Sequence, residues 1–224
     1  MTHTDHAARG NRLLILVAAV LAAAGIAEIS RANTASGPPR PAATVLGKLP
    51  PATKPAAVTL PALPYSVPTH VDIPAVNLHA AVITVDLNAD DSIGTPSLSN
   101  AKVAAWYDRS PTPGQAGSAI MDAHVDSSRM SDYRGAFFYL GLAKPGMEID
   151  VTRADTSVAV FTIDEVQAAL KSQFPTDKVY AATSYPALRL ITCGGDYDKK
   201  THEYLGNTIV YAHLTAERGV SKAR

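Results

Sequence analysis

The chain contains one cysteine, Cys193, at the end of an apolar run, Leu188-Arg189-Leu190-Ile191-Thr192-Cys193, with Gly194-Gly195 directly after it. Upstream, Ser118-Ala119-Ile120-Met121 leads into Asp122-Ala123-His124-Val125-Asp126. A thiol and an imidazole, each closing a strand-like run, supply the two groups that acyl transfer needs. A thiolate attacks an amide carbon, and an imidazolium protonates the departing amine. Glycines after the thiol leave it uncrowded and let a substrate backbone approach. The alternative reading of Cys193 is a buried, inert thiol packing as a small hydrophobe. That of His124 is a satisfied core or surface histidine, although Asp122 and Asp126 flank it and a carboxylate can orient an imidazole or raise its pKa.

Such chemistry also needs a donor for the developing oxyanion. In an extended strand, side chains repeat every two residues, which puts Arg189 on one face with Ile191 and Cys193. A guanidinium is always charged and suits the role. An edge charge paired with a surface carboxylate is the competing reading for Arg189.

The elements that must position these groups read as β-rich. Candidate strands are His70–Ile73, Ala80–Leu87, Ser118–Met121, Glu148–Thr152, Val158–Ala169, Leu188–Cys193 and Asn207–Leu214, mostly short, β-branched and bounded by Gly, Pro, Asp or Asn. Turn signals separate them at Pro111-Thr112-Pro113-Gly114, Lys144-Pro145-Gly146 and Arg153-Ala154-Asp155. This spacing suggests a barrel or sandwich with only short helical turns, near Tyr133–Leu142 and Thr176–Ala181. Trp106 and Tyr107 read as core or groove wall. Asp86, Asp90 and Asp91 lack EF-hand spacing and read as a solvated turn. The histidines show no zinc-ligand spacing, and no cofactor is expected.

The chain has 224 residues, 20 basic and 20 acidic side chains and a formal net charge of +0. No basic block points to nucleic acid. One cysteine cannot make an internal disulfide, so an exported domain of this chain must be held by its core.

Arg9 and Arg12 precede an apolar run from Leu13 to Ile29, and a bilayer core needs at least about 17 residues. The run fits a cleaved secretory signal or an uncleaved anchor with a cytoplasmic N-terminus, and the span favours the anchor. A stretch rich in Pro and Ala follows, too poor in large apolar side chains to fold alone. Proline biases it toward an extended form of about 3 Å per residue, so some thirty residues reach up to roughly 90 Å. The expected organisation is a cytoplasmic N-terminus at 1–12, a transmembrane segment at 13–29, an extracellular linker at 30–63, a β-barrel catalytic domain at 64–216 and a tail at 217–224.

Across the domain the residues resemble a known family. Leu190-Ile191-Thr192-Cys193 is similar to the nucleophile strand of sortases, and Ala123-His124-Val125-Asp126-Ser127 to their histidine motif. The wider pattern resembles the class F sortases of actinobacteria: Val71-Asp72-Ile73-Pro74-Ala75, Trp106-Tyr107, Pro113 to Gly117, Phe137-Phe138-Tyr139-Leu140, Phe174-Pro175-Thr176, Leu188 to Gly195 and Tyr204-Leu205-Gly206-Asn207. It spans residues 64–214, and the order and spacing of these weak motifs make it specific. The resemblance implies an eight-stranded β-barrel, preceded here by a single transmembrane helix, and a Cys–His–Arg site. It implies a membrane-anchored, extracytoplasmic transpeptidase that cleaves LPXTG-like sorting signals through a thioacyl-enzyme. The acceptor is an amine of cell wall or pilin, and water gives slower peptidase activity.

Two departures stand out. The family usually has glycine before the histidine, where this chain has Ala123 after Asp122, and a glycine there would permit a backbone shape that alanine strains. Sortases usually carry the catalytic arginine on or near the last strand, and no arginine lies between Cys193 and Ala216. Arg189 and Asn207 are then the candidate donors. The alternative is a catalytically impaired sortase-like module that binds sorting peptides or wall components. Other cell-wall cysteine enzymes fit less well: papain-like hydrolases place cysteine before histidine, and L,D-transpeptidases carry a His-Gly-Cys cluster.

Overall fold

The computed structural model describes residues 37–41 and 60–219. The expected cytoplasmic and transmembrane segments lie outside these residues, as do most of the linker and the last residues of the tail. No described helix is long and apolar enough to cross a membrane. The unit that runs from Pro38 carries the barrel.

Eight strands form it: β1 (Pro68–Ile73), β2 (Leu78–Val85), β3 (Ala104–Tyr107), β4 (Gly117–Asp122), β5 (Glu148–Arg153), β6 (Ser157–Leu170), β7 (Pro186–Asp198) and β8 (Glu203–Gly219). They close in the order β1-β2-β3-β4-β7-β8-β6-β5, with β5 paired back to β1. Closure leaves no unpaired edge. Among the described residues, helical structure is confined to short pieces, including a 3-10 turn at Leu140–Leu142 and α1 (Thr176–Val179).

Side-chain alternation explains which strands show themselves in the sequence. In β5, Ile149 and Val151 point inward while Glu148, Asp150 and Thr152 do not. β4 and β7 break that pattern because both of their faces are covered, and Ala187 to Thr192 are all buried. Their inner face (Ala119, Met121, Leu188, Leu190) joins the main core with Trp106, Phe137 and Phe161. Their outer face carries Ile120 and Ile191, which form a second cluster with Ile209, Tyr211 and Val179 of α1. β3 is the strand absent from the sequence expectation: Ala-Ala-Trp-Tyr is too short for a two-residue period to register. Trp106 is fully buried in it and donates its indole N–H to the Pro111 carbonyl.

β8 continues to Gly219, pairing with Ser157 at its end. At the other end, Leu60 and Leu63 pack against the main core, and the Leu63 amide donates to the Gly114 carbonyl.

Candidate active site

β4 and β7 run parallel and side by side, from Gly117–Pro186 to Asp122–Ile191. The ladder continues one step further, where the Ala123 amide donates to the Ile191 carbonyl at 3.2 Å. His124 and Cys193 each follow the last paired residues, Asp122 and Ile191, by two positions. A side-chain bond locks the end of the ladder: the Thr192 hydroxyl donates to the Ala123 carbonyl at 2.7 Å, across 69 residues of sequence. Ala123 takes no left-handed backbone conformation, so the alanine that stands where the family has glycine is unstrained. Its methyl is buried in the main core.

The loop after His124 is held from several sides. The Phe137 amide donates to the His124 carbonyl, the Gly135 amide to the Val125 carbonyl and the Ser127 hydroxyl to the Leu98 carbonyl. Gly135 packs so closely that a Cβ there would lie 2.1 Å from the His124 oxygen, so only glycine fits. The imidazole Nε2 stands 2.6 Å from the Pro96 carbonyl. A carbonyl only accepts, so Nε2 carries a proton and Nδ1 is the nitrogen left for proton transfer with a thiol or amine.

Cys193 is a free, partly exposed thiol. Burial raises its pKa, as do the charges of Asp126, Asp122 and Glu203, while the Lys171 ammonium lowers it. Lys171 also pairs with Glu203 at 3.2 Å. Two opposed substitutions should therefore move the thiol in opposite directions. Glu203→Gln should shift the pH midpoint of iodoacetamide alkylation down, and Lys171→Gln should shift it up. A midpoint unmoved by both would remove these charges from the thiol's environment.

Asn207 of β8 is the direct cross-strand partner of Cys193. Opposed side chains in an antiparallel pair share a face, with Cβ atoms about 5 Å apart. The Asn207 amide donates one hydrogen to the Thr192 carbonyl at 3.3 Å, leaving its second N–H available. Arg189 lies on the same outer face but four residues back, about 13 Å along an extended strand. It is buried, its guanidinium stacks 4.9 Å from the Tyr211 ring centroid, and Nη1 donates to the Leu188 carbonyl at 3.0 Å. Burial lowers its pKa. The structure thus pairs Cys193 with Asn207, leaves His124 two residues past the end of the β4–β7 ladder, and sets Arg189 under a tyrosine in the second core cluster.

Beyond Cys193 the strand bulges between Gly194 and Tyr197, and Gly195 takes a φ of +80° that favours glycine. The end of β7 carries Asp196 and Asp198, and the turn into β8 holds Lys199, Lys200 and His202. Asp196 pairs with Arg40 at 2.8 Å, with both side chains well exposed. Tyr204 donates its hydroxyl to Asp126, tying the start of β8 to the histidine loop, and stacks edge-on with Tyr197 at 5.1 Å. Tyr204 belongs to the Tyr204–Asn207 motif, but its bond to Asp126, like the Pro96 contact of His124, arises only when distant loops meet. The aspartates at 86, 90 and 91 lie in an exposed loop where Asp90 accepts from Ser92 and Asp86 pairs with Arg109. Among the described residues, no group of three or more His, Cys, Asp or Glu side chains is placed to hold a metal ion.

A family model for the sortase domain matches residues 71–215. The barrel superposes on sortase A of Listeria monocytogenes with a TM-score of 0.52 at 17% identity, covering 70% of this chain and 93% of that one. A lid mutant of sortase A from Corynebacterium diphtheriae matches with a TM-score of 0.50 at 17% identity, over 67% of this chain and 70% of that one. Sortase C1 of Streptococcus agalactiae gives 0.50 at 15% identity, over 66% and 67%. At such identities these likenesses show a shared fold. No curated protein matches the chain in sequence. The family model spans more than half the chain and covers both the histidine and the cysteine motifs: the chain belongs to the sortase family of cysteine transpeptidases.

Proposed function

We propose that this chain is a class F-type sortase, anchored by residues 13–29 with its barrel outside the cytoplasm. In this reading it cleaves an LPXTG-like sorting signal and passes the acyl group to an amine of cell wall or pilin. The observation that supports the reading is the parallel pairing of β4 with β7, which ends at Asp122–Ile191, two residues before His124 and Cys193, together with the pairing of Asn207 opposite the thiol. The class rests on the Cys193-Gly194-Gly195 run and the ordered motifs around it. The anchor rests on the apolar run and its flanking arginines.

The Cys193 thiolate attacks the threonyl carbonyl carbon and forms an S–C bond. The Asn207 side-chain N–H donates to the oxygen that becomes negative. Imidazolium at His124 gives its proton to the departing amine as the C–N bond breaks, leaving a thioester. The acceptor amine then attacks the thioester carbon, loses a proton to His124 and releases the Cys193 thiolate. Acylation consumes the thiolate and leaves the imidazole neutral, and deacylation restores the thiolate and the imidazolium, so the pair regains its starting charge over the full cycle.

Intact mass spectrometry of the full chain with an LPXTG peptide and oligoglycine tests this. The expected result is a mass increase equal to the acyl half on wild type, none on Cys193→Ala, and a peptide product joined to oligoglycine. Binding of peptides without adduct or product would instead favour a second reading, an impaired module that holds sorting peptides. That reading draws on the raised thiol pKa and on the burial of Arg189 away from the thiol.

A further inference from the structure

Two contacts fix a short piece of the proline-rich stretch on the barrel. Pro38, Pro39 and Pro41 are half-buried there, and Arg40 between them is exposed. Pro39 lies against Gly141, in the 3-10 turn at Leu140–Leu142. A Cβ on Gly141 would stand 2.0 Å from the Pro39 oxygen, 2.7 Å from its carbonyl carbon and 3.2 Å from the Arg40 nitrogen. The three atoms nearest to that position all belong to residues 39 and 40. Gly141 takes no positive φ, so its own backbone makes no demand for glycine. What the missing side chain makes room for is Pro39. In the second contact, Arg40 Nη2 donates to Asp196 Oδ1 at 2.8 Å. Asp196 follows Gly195 in the bulged end of β7, three positions past the thiol.

Covalent continuity does not force the segment to this place. Residues 42–59 separate it from Leu60, and the chain that leads into β1 packs elsewhere. There the Leu63 amide bonds the Gly114 carbonyl, ahead of the start of β4, whereas His124 follows the end of that strand. An exposed ion pair holds little by itself. The prolines supply the rest. Each ring fixes one φ, and Arg40 is restricted further by standing before Pro41, so the segment gives up little freedom when it docks. Proline-rich stretches are commonly recognised in this way, as preformed extended ligands. The two points of attachment lie on different sides of the candidate site. The 3-10 turn is tied to the histidine, because the Leu140 amide bonds the Phe137 carbonyl and the Phe137 amide bonds the His124 carbonyl. Asp196 belongs to the strand of the cysteine.

We propose that the surface between Gly141 and Asp196 is a docking site for a proline-rich segment, that Pro38–Pro41 occupies it in cis, and that the docked segment clasps the stretch after the thiol to the stretch after the imidazole. The proline-rich region is then not a uniform spacer, since residues 38–41 belong to the surface of the domain. Release of the clasp frees the turn that follows the cysteine strand.

Hydrogen–deuterium exchange of the full chain tests this without substrate or turnover, so its outcome is separate from that of the transpeptidase reading. Gly141→Ala evicts Pro39 without changing a charge, and Arg40→Glu breaks the bond to Asp196. Each should speed exchange across Asp196–Glu203 at least threefold. Gly141 is remote from that turn in sequence, and its effect reaches the turn through the docked segment. The two substitutions together should be no faster than either alone, because one event, release, underlies both. Adding Asp196→Lys to Arg40→Glu restores the pair with its charges exchanged and should bring exchange back toward the wild-type rate. Unchanged exchange in either single variant overturns the proposal. So do effects of the two that multiply, or a charge exchange that restores nothing.

Discussion

Replacing Asn207 with alanine should slow acylation of Cys193 by about 10²–10³-fold, the usual cost of deleting one oxyanion donor. Asn207 faces the thiol across the β7–β8 ladder and keeps one amide hydrogen free after bonding Thr192. The loss should fall on kcat, because the donor meets the oxygen only as it becomes negative. Arg189→Met is the contrasting variant. Its guanidinium packs against Tyr211 and the Leu188 carbonyl rather than near the thiol. Exchange of a buried charge for an apolar side chain of similar length is often neutral or stabilising. Acylation in Arg189→Met should stay within about threefold of wild type, a range small beside the loss of a true donor. Stopped-time mass spectrometry of both variants measures this. A large loss in Arg189→Met with none in Asn207→Ala would transfer the role to the arginine.

The second large effect concerns stability. Asp122 has its pKa raised from 3.8 to about 7 by burial. Between these values the folded chain holds a proton that the unfolded chain has released, so stability falls as pH rises across that window. The carboxyl's contribution is fully present below about pH 4 and is lost as pH passes through about 7. The ceiling on this loss is about 4 kcal/mol at 1.36 kcal/mol per pKa unit, and partial exposure brings it to a few kcal/mol. Asp122→Asn removes the titration. Its urea midpoint should vary less between pH 4.5 and 8 than that of wild type, and at pH 8 it should exceed the wild-type midpoint. Parallel pH profiles for the two proteins would show that Asp122 titrates like an ordinary surface carboxylate.

The strands most legible in the sequence are those with one face in the core. The β5 alternation of Ile149 and Val151 with charged or hydroxyl residues is read directly, and the long apolar run of β6 likewise marks a strand. The β3 segment is invisible because four residues cannot display a period. The His124 motif is readable as a strand end followed by a polar turn, whereas Cys193, read as the end of Leu188–Cys193, lies inside β7, which continues through a glycine bulge to Asp198. What cannot be read is that their strands are neighbours in parallel register, since that depends on the connection of β4 to β7 across the intervening chain. The two-residue period places Arg189 on the face of Cys193, but it is blind to distance. Only the paired register shows Tyr211 opposite the arginine and Asn207 opposite the thiol. Asp122 is visible as a charge beside the histidine motif. That its Oδ1 is buried without a hydrogen-bond partner requires the packing of three strands around it.

The bond from Thr192 to Ala123 closes a loop of 69 residues, and that length has a kinetic meaning. Closing a longer loop costs more chain entropy before any contact repays it, and non-local strand pairings of this kind form slowly. Cys193 and His124, the proposed nucleophile and proton donor, therefore come together late, after β5 and β6 have emerged between them in the growing chain. A nascent or truncated polypeptide that ends before β7 carries the imidazole without the thiol. Reactivity is thus gated by the order of assembly: the chain becomes a catalyst only when the pairing that joins its two halves is complete.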